Sequence, residues 1–307
     1  MRAQLLFALC GVETTTLRRT AKRQREGGRD EMNFDALFSN AVKALETQNY
    51  VEAVTAGTVA YESVGRRDLK KALPCCVLLS KAYIHSDDRL RGSLYLSEAV
   101  SIVRRGNVYE SREANAAMFG VLGEIFELLS DREGEEQMYK EYLAQMQEIV
   151  GDDHVATSDC YHLLTGFYMR NADIASATEC CEKACTIRCM KGIRNELAGQ
   201  SLFSLGLIYK LGGELQRALD TFQDAVEAKT SVYGPKSLDV AEAQLSAGFC
   251  AQQLENLDVA FDLYQKSFQT RNFLLGAEHR LTKEAFTLVD FVRKQRKPQG
   301  MIDAGGQ

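Results

Sequence analysis

The stretch ELAGQSLFSLGLIYKLGGELQRALDTFQDAVEAKTSV, residues 196–232, decides the fold. Leu202, Leu205 and Tyr209 fall at helical spacing, as do Ala218, Phe222, Ala225 and Val226 further on. Between them stands Leu211-Gly212-Gly213-Glu214, where two glycines permit a turn. The pattern predicts one helix from Glu196 to Lys210 and another from Leu215 to Val232. Gly206 and Ala218 are read as the small residues that let the two backbones approach, with Tyr209 and Phe222 filling the space beside them.

The same pattern recurs along the chain. Gly206 aligns with Gly248, and Ala247, Ala260, Tyr264 and Phe268 follow at matching offsets. One period back stand Tyr161, Leu164, Thr165, Tyr168, Ala177, Cys181 and Ala184. Earlier copies are Leu122, Gly123, Phe126 and Tyr139, then Leu79, Ser80, Tyr83 and Ala99, then Leu37, Ala41, Tyr50, Ala53 and Ala60. The aligned small positions are 39, 43, 42, 41 and 42 residues apart. A fixed period of this length means a repeat array, in which each unit buries its apolar face on its neighbours. The expectation is an all-α, right-handed α-solenoid of stacked helix-turn-helix repeats. Six helix pairs should begin near Asn33, Leu69, Ser111, Val155, Glu196 and Leu238, within an array spanning 32–294. A last helix, Leu281 to Lys294, should cap the open end with a polar face carrying Lys283, Arg293 and Lys294. The first and third units are the weakest, because Gly57 and Glu135 stand where a large and a small residue are expected.

This small-large-small pattern resembles the tetratricopeptide repeat, whose usual length is about 34 residues. The longer period here, with its longer second helices and loops, is similar to the kinesin light chain subgroup. That subgroup carries a Gly-acidic-His-Pro-like element before each following helix. Degenerate copies stand at Gly151-Asp152-Asp153-His154, Gly234-Pro235-Lys236-Ser237 and Gly276-Ala277-Glu278-His279. The resemblance implies a binding groove. It does not carry over the family's cargo peptide, because the paired Asn residues that clamp it are replaced by Phe203-Ser204 and Leu245-Ser246. No heptad coiled coil precedes the array, so pairing with a kinesin heavy chain is not supported either.

Bulk properties narrow the class. The 307 residues are 45% hydrophobic and 26% charged, ordinary for a folded chain, and three prolines leave long stretches free to be helical. A formal charge of -5 gives no global pull toward nucleic acid or an anionic membrane. No apolar run approaches the roughly 18 residues of a membrane span. Of nine cysteines, Cys181, Cys185 and Cys189 fall four apart on one helix face, which argues against a disulfide framework and for a reducing compartment. Residues 1–31 stand apart: an apolar run from Leu5 to Val12, then Arg18, Arg19, Lys22, Arg23 and Arg25. This segment reads as a disordered extension, as an upstream stretch before a start at Met32, or as a mitochondrial presequence or weak secretory signal. Residues 295–307 read as a disordered tail.

No catalytic constellation is present. A Gly-Lys-Ser/Thr phosphate loop and a His-Glu-x-x-His pair are both missing, and Glu135-Glu136 is expected on a solvated helix face. Cys160, His162, Cys181 and Cys185 are ligand types for zinc, but the cysteines hold positions where the repeat buries side chains, so core packing is expected and no metal or cofactor. The basic run Arg293-Lys294-Gln295-Arg296-Lys297 reads as a solvated helix end.

A binding face remains. First helices of stacked pairs line a trough, and the register points His162, Met169, Phe203, Leu207, Lys210, Leu245, Phe249 and Gln252 into it. The competing reading packs its apolar members between adjacent repeats. The chain is thus expected to be a non-catalytic scaffold or adaptor for a protein or peptide partner, in a cytoplasmic, cytoskeletal or ciliary setting, or a mitochondrial one if residues 1–31 are a presequence. Two alternatives stay open. One is a co-chaperone or assembly factor that holds a carboxylate with Lys210 and Arg170. The other is a structural subunit with an apolar second-helix face. Partner identity and oligomeric state are not legible.

Overall fold

The computed structural model describes residues 34–64, 68–106, 108–190 and 196–296. Every regular element among them is an α-helix, and there are thirteen. The chain forms two compact units that divide between Gly151 and Asp152. The first holds α1 (Phe34–Glu46), α2 (Tyr50–Val64), α3 (Leu69–His85), α4 (Arg89–Arg105), α5 (Arg112–Leu129) and α6 (Arg132–Val150). The second holds α7 (Val155–Arg170), α8 (Ile174–Met190), α9 (Glu196–Leu211), α10 (Leu215–Tyr233), α11 (Leu238–Gln253), α12 (Leu257–Leu275) and α13 (Arg280–Gln295). Within each unit the helices pack as antiparallel pairs, and each pair packs on the next. This is an all-α repeat solenoid. The expectations for residues 1–31 and for most of the tail 295–307 fall outside the described residues.

The tight turn inside each pair obeys one rule. A single residue adopts the left-handed conformation: Gln48, Asp87, Ser130, Ala172, Gly213 and Glu255. The residue after it does up to two jobs. Its N–H closes the preceding helix, as Asp88 N does on Tyr83 O and Asp131 N on Phe126 O. In four of the six pairs its side chain also caps the next helix, as Asp88 accepts from Arg91 N and Asp131 from Gly134 N, whereas Glu214 and Asn256 make no such bond. Gly213 alone among the six is glycine, so the turn is set by hydrogen bonding more than by glycine's freedom.

The small residues make room for rings. A Cβ on Gly206 would lie 2.7 Å from the ring of Phe222; one on Gly248 would lie 2.8 Å from Tyr264, and one on Gly123 2.4 Å from Tyr139. What occupies the space over Gly206 is the aromatic ring sixteen residues on, Phe222, the residue read as filling the space beside the Gly206–Ala218 approach. Where the first-helix residue is larger, the buried residue sixteen on is smaller: Leu96 follows Ser80 and Cys181 follows Thr165. Glu135 corrects a second expectation. It is buried, not solvated, because it stands at the inward position held elsewhere by Ala177, Ala218 and Ala260. Gly134, one residue earlier, takes the small role and lies against the ring of Phe126.

In the second unit the core joins Cys181, Cys185, Leu205, Tyr209, Phe222, Cys250, Tyr264, Val289 and Val292. Cys181 and Cys185 pack in this core, and the hydrogen bond with Cys181, with burial added to it, pushes the Cys185 thiol well above its usual range. Cys189 is exposed. Among the described residues no group of three or more His, Cys, Asp or Glu is placed to hold a metal, and no helix is long and apolar enough to cross a membrane.

Candidate functional site

All eight residues read as trough-facing lie in the second unit, on α7, α9 and α11. The structure divides them. Phe203, Leu207, Leu245 and Met169 are half-buried and pack against the core, and the Phe203 ring centroid lies 5.5 Å from that of Phe222. For these four the packing reading carries part of the weight. Phe249 is 40% exposed, and Lys210 of α9 extends its Nζ to 5.2 Å from the Phe249 ring centroid. That contact places α9 and α11 side by side on one face. Gln252 is held by the Tyr264 hydroxyl, which donates to its Oε1 at 3.0 Å. His162 is exposed at its edge, yet close surroundings and then Arg188 hold its imidazole below the ordinary histidine pKa.

Phe291 belongs to the same row, and the sequence reading missed it. Leu207, Phe249 and Phe291 are spaced 42 apart, and Phe291 on α13 is 47% exposed. Treating α13 as a cap hid the match. The cap description holds for another face of that helix. Lys283, Asp290 and Arg293 replace the register mates Ala241, Gly248 and Ala251, so the side that would receive a further helix is charged.

Beneath this face runs a second series that the sequence reading also missed. Arg188, Lys229 and Arg271 stand 41 and 42 apart near the ends of α8, α10 and α12, and all three are buried. Each enters the seam between consecutive first helices. Arg188 donates from Nε to Ser158 Oγ at 2.9 Å, and from its terminal nitrogens to Ser201 Oγ, the Leu197 carbonyl and the Asp159 carboxylate. Its partners thus come from both α7 and α9. Lys229 runs past Gly199, where a Cβ would lie 2.9 Å from its Cγ. Its Nζ stops 4.4 Å from the Phe203 ring centroid and 3.9 Å from Asp239 of α11. Arg271 donates one bond, at 3.1 Å, to the Leu281 carbonyl of α13. Burial lowers the Arg271 pKa, and the charges of Glu242 and Glu284 only offset that effect.

Residues 197–272, spanning α9 to α12, match the family model described as tetratricopeptide repeat. No curated protein matches the sequence. Among solved structures, BtubC (BKLC) from P. vanneervenii is similar at 20% identity and a TM-score of 0.52, over 73% of this chain and 84% of that one. A putative kinesin light chain with nearly identical TPR-like repeats from Podospora anserina gives 14% and 0.55, over 69% of this chain and 99% of that one. A STAND protein with a tetratricopeptide repeat sensor from Pyrococcus horikoshii gives 14% and 0.65, over 87% of this chain and 39% of that one. At such identities the likeness is one of fold. Residues 197–272 carry tetratricopeptide repeats, and the chain shares the all-α repeat fold of these solved structures.

Proposed function

We propose that the chain is a non-catalytic interaction scaffold that takes a segment of a partner protein along the first-helix face of its second unit. The observation that carries this reading is the row Leu207, Phe249 and Phe291, whose two aromatic members stay about half exposed although the same helices bury their other apolar faces. Two exposed aromatic side chains in register on α11 and α13, with Leu207 of α9 beside them, form a surface that association with another protein would cover. The long repeat period shared with kinesin light chain-like arrays supports a cytoskeletal, motor-linked or ciliary setting.

The test uses the two exposed rings, because Phe203 packs on Phe222 and its loss would disturb the core. Phe249→Asp with Phe291→Asp should remove partner capture while helicity and Tm stay near wild type. Equal capture by the wild type and this double variant would refute the assignment of the face. The carboxylate-holding alternative is weakened by register: Arg170 aligns with Leu211, not with Lys210, so the two cations do not occupy one rung.

A second reading concerns the first unit alone. Val51 on α2 is 77% exposed, and Leu90 and Leu94 on α4 are 74% and 62% exposed. These outer-face residues support permanent docking into a larger assembly. Self-association of the isolated protein that Leu90→Lys with Leu94→Lys abolishes would favour this role.

A further inference from the structure

A side-chain network that fills one junction of the array is missing from another. In the second unit, where α8 meets α9 and α10, the Tyr209 hydroxyl donates to Glu182 at 2.6 Å. Arg217 donates to the same carboxylate at 2.8 Å and to the Tyr209 oxygen at 2.6 Å. Its guanidinium carbon lies 4.0 Å from the Tyr209 ring centroid. The matching junction of the first unit, among α4, α5 and α6, holds Ser97, Phe126 and Gly134 at these three positions. Ser97 follows Ser80 by seventeen residues, as Glu182 follows Thr165. Phe126 and Gly134 follow Gly123 by three and eleven, as Tyr209 and Arg217 follow Gly206. A carboxylate, a phenolic oxygen and a guanidinium are thereby removed, and the Phe126 ring takes the space that a Cβ on Gly134 would need. What is left is a cleft of about 550 Å³ lined by Ser97, Val100, Ser101, Arg104, Arg105 and Phe126.

This lining reverses the charge. Arg104 and Arg105 stand where the filled junction has Cys189 and Met190. Arg104 gives Nε and Nη2 to Glu141 of α6, a carboxylate also held by Gln137 Nε2, and keeps Nη1. Arg105 and Ser101 are exposed, and neither side chain has a hydrogen bond or ion pair with another described residue. Two guanidinium groups and a hydroxyl therefore offer donors, while Val100 and the Phe126 ring offer apolar contact. The guanidinium fork matches phosphate oxygens, and a tetrahedral dianion engages several such forks where a planar carboxylate engages one. Small-ligand sites of about 300–1,000 Å³ combine apolar walls with a few convergent polar groups in this way.

We infer that this cleft binds an organic phosphate monoester, its phosphate oxygens on Arg104, Arg105 and Ser101 and its apolar body against Val100 and Phe126. The site lies within the first unit and does not depend on the first-helix face of the second.

The experiment titrates the full chain with phenyl phosphate in a calorimeter, beside inorganic phosphate, phenylacetate and benzyl alcohol. Phenyl phosphate should bind at least tenfold more tightly than each of the other three, and its binding should weaken as salt rises. Arg105→Gln should cost tenfold or more in affinity at unchanged Tm, because Arg105 has no partner in the chain to lose. Ser97→Glu with Phe126→Tyr restores the pair seen in Glu182 and Tyr209 and sets a carboxylate against the two arginines. This double variant should abolish binding and leave Tm unchanged or raised. A phosphotyrosine peptide with blocked ends distinguishes two sources of the same group, and either result supports the site. Binding at least as tight as that of phenyl phosphate assigns it to a phosphorylated side chain of a partner. Binding tenfold weaker assigns it to a free small molecule. The inference is overturned if phenyl phosphate binds no better than inorganic phosphate or phenylacetate. It is overturned equally if the affinity survives both Arg105→Gln and the double variant.

Discussion

Single residues in this chain act through the volume they leave free. Gly206 and Gly248 face aromatic rings at distances a Cβ cannot share, so Gly206→Ala must displace Phe222. Overpacking costs about 1–3 kcal/mol, and alanine's better helix propensity returns at most about 1 kcal/mol. A net loss of about 1–2 kcal/mol should appear in urea unfolding. The opposite change is expected at Ala172, which holds a left-handed turn at φ 59°. Ala172→Gly relieves strain of about 1–2 kcal/mol against an entropic cost of about 0.5–1 kcal/mol, so stability should rise slightly. His162 supplies a pH term. Its folded-state pKa is lowered, so its contribution is present above the unfolded histidine value of about 6.5 and is lost as pH falls below it. His162→Phe, matching its register mate Phe203, should flatten the stability profile between neutral and mildly acid pH.

Among the elements, α13 presents two unlike faces. Its inward face buries Thr282, Ala285, Val289 and Val292 on the preceding pair, as α11 does with Val240, Ala243, Ala247 and Cys250. The other face carries Lys283, Asp290 and Arg293 where α11 carries Ala241, Gly248 and Ala251. Restoring the register mates with Lys283→Ala, Asp290→Gly and Arg293→Ala should create an open apolar end and concentration-dependent association in sedimentation velocity. Helix starts were legible to within about one residue because small and large apolar positions repeat with the helices. The seam cations were not, although Arg188, Lys229 and Arg271 recur at 41 and 42 residues, the same period as the glycines. Charged residues are mostly solvated, and that rule fails where a small neighbour such as Gly199 lets a long stem pass inward. Glu135 was misplaced for the same reason.

The molecule as a whole is two stacks that divide between Gly151 and Asp152. Stability in such arrays is a sum of local and nearest-neighbour contributions, so unfolding is expected to depart from a single transition. Denaturation followed by fluorescence labels placed in each unit should give two midpoints, with Val289→Asp shifting only that of the second unit. The repeat period revealed the architecture because it is written in every unit. The binding face was legible only in part, because a half-buried Leu or Phe looks alike in sequence whether it packs or waits for a partner.

Each left-handed turn residue follows its small first-helix residue by seven positions in all six pairs, from Ala41 and Gln48 to Gly248 and Glu255. All variation in repeat length therefore falls outside the hairpin, in the second helix and the joint that follows it. Such a chain can be spliced like links: excising Glu196 through Ser237 would join Asn195 to Leu238 and leave a shorter protein whose surviving links still close, whereas a single residue inserted between Gly206 and Gly213 would jam one.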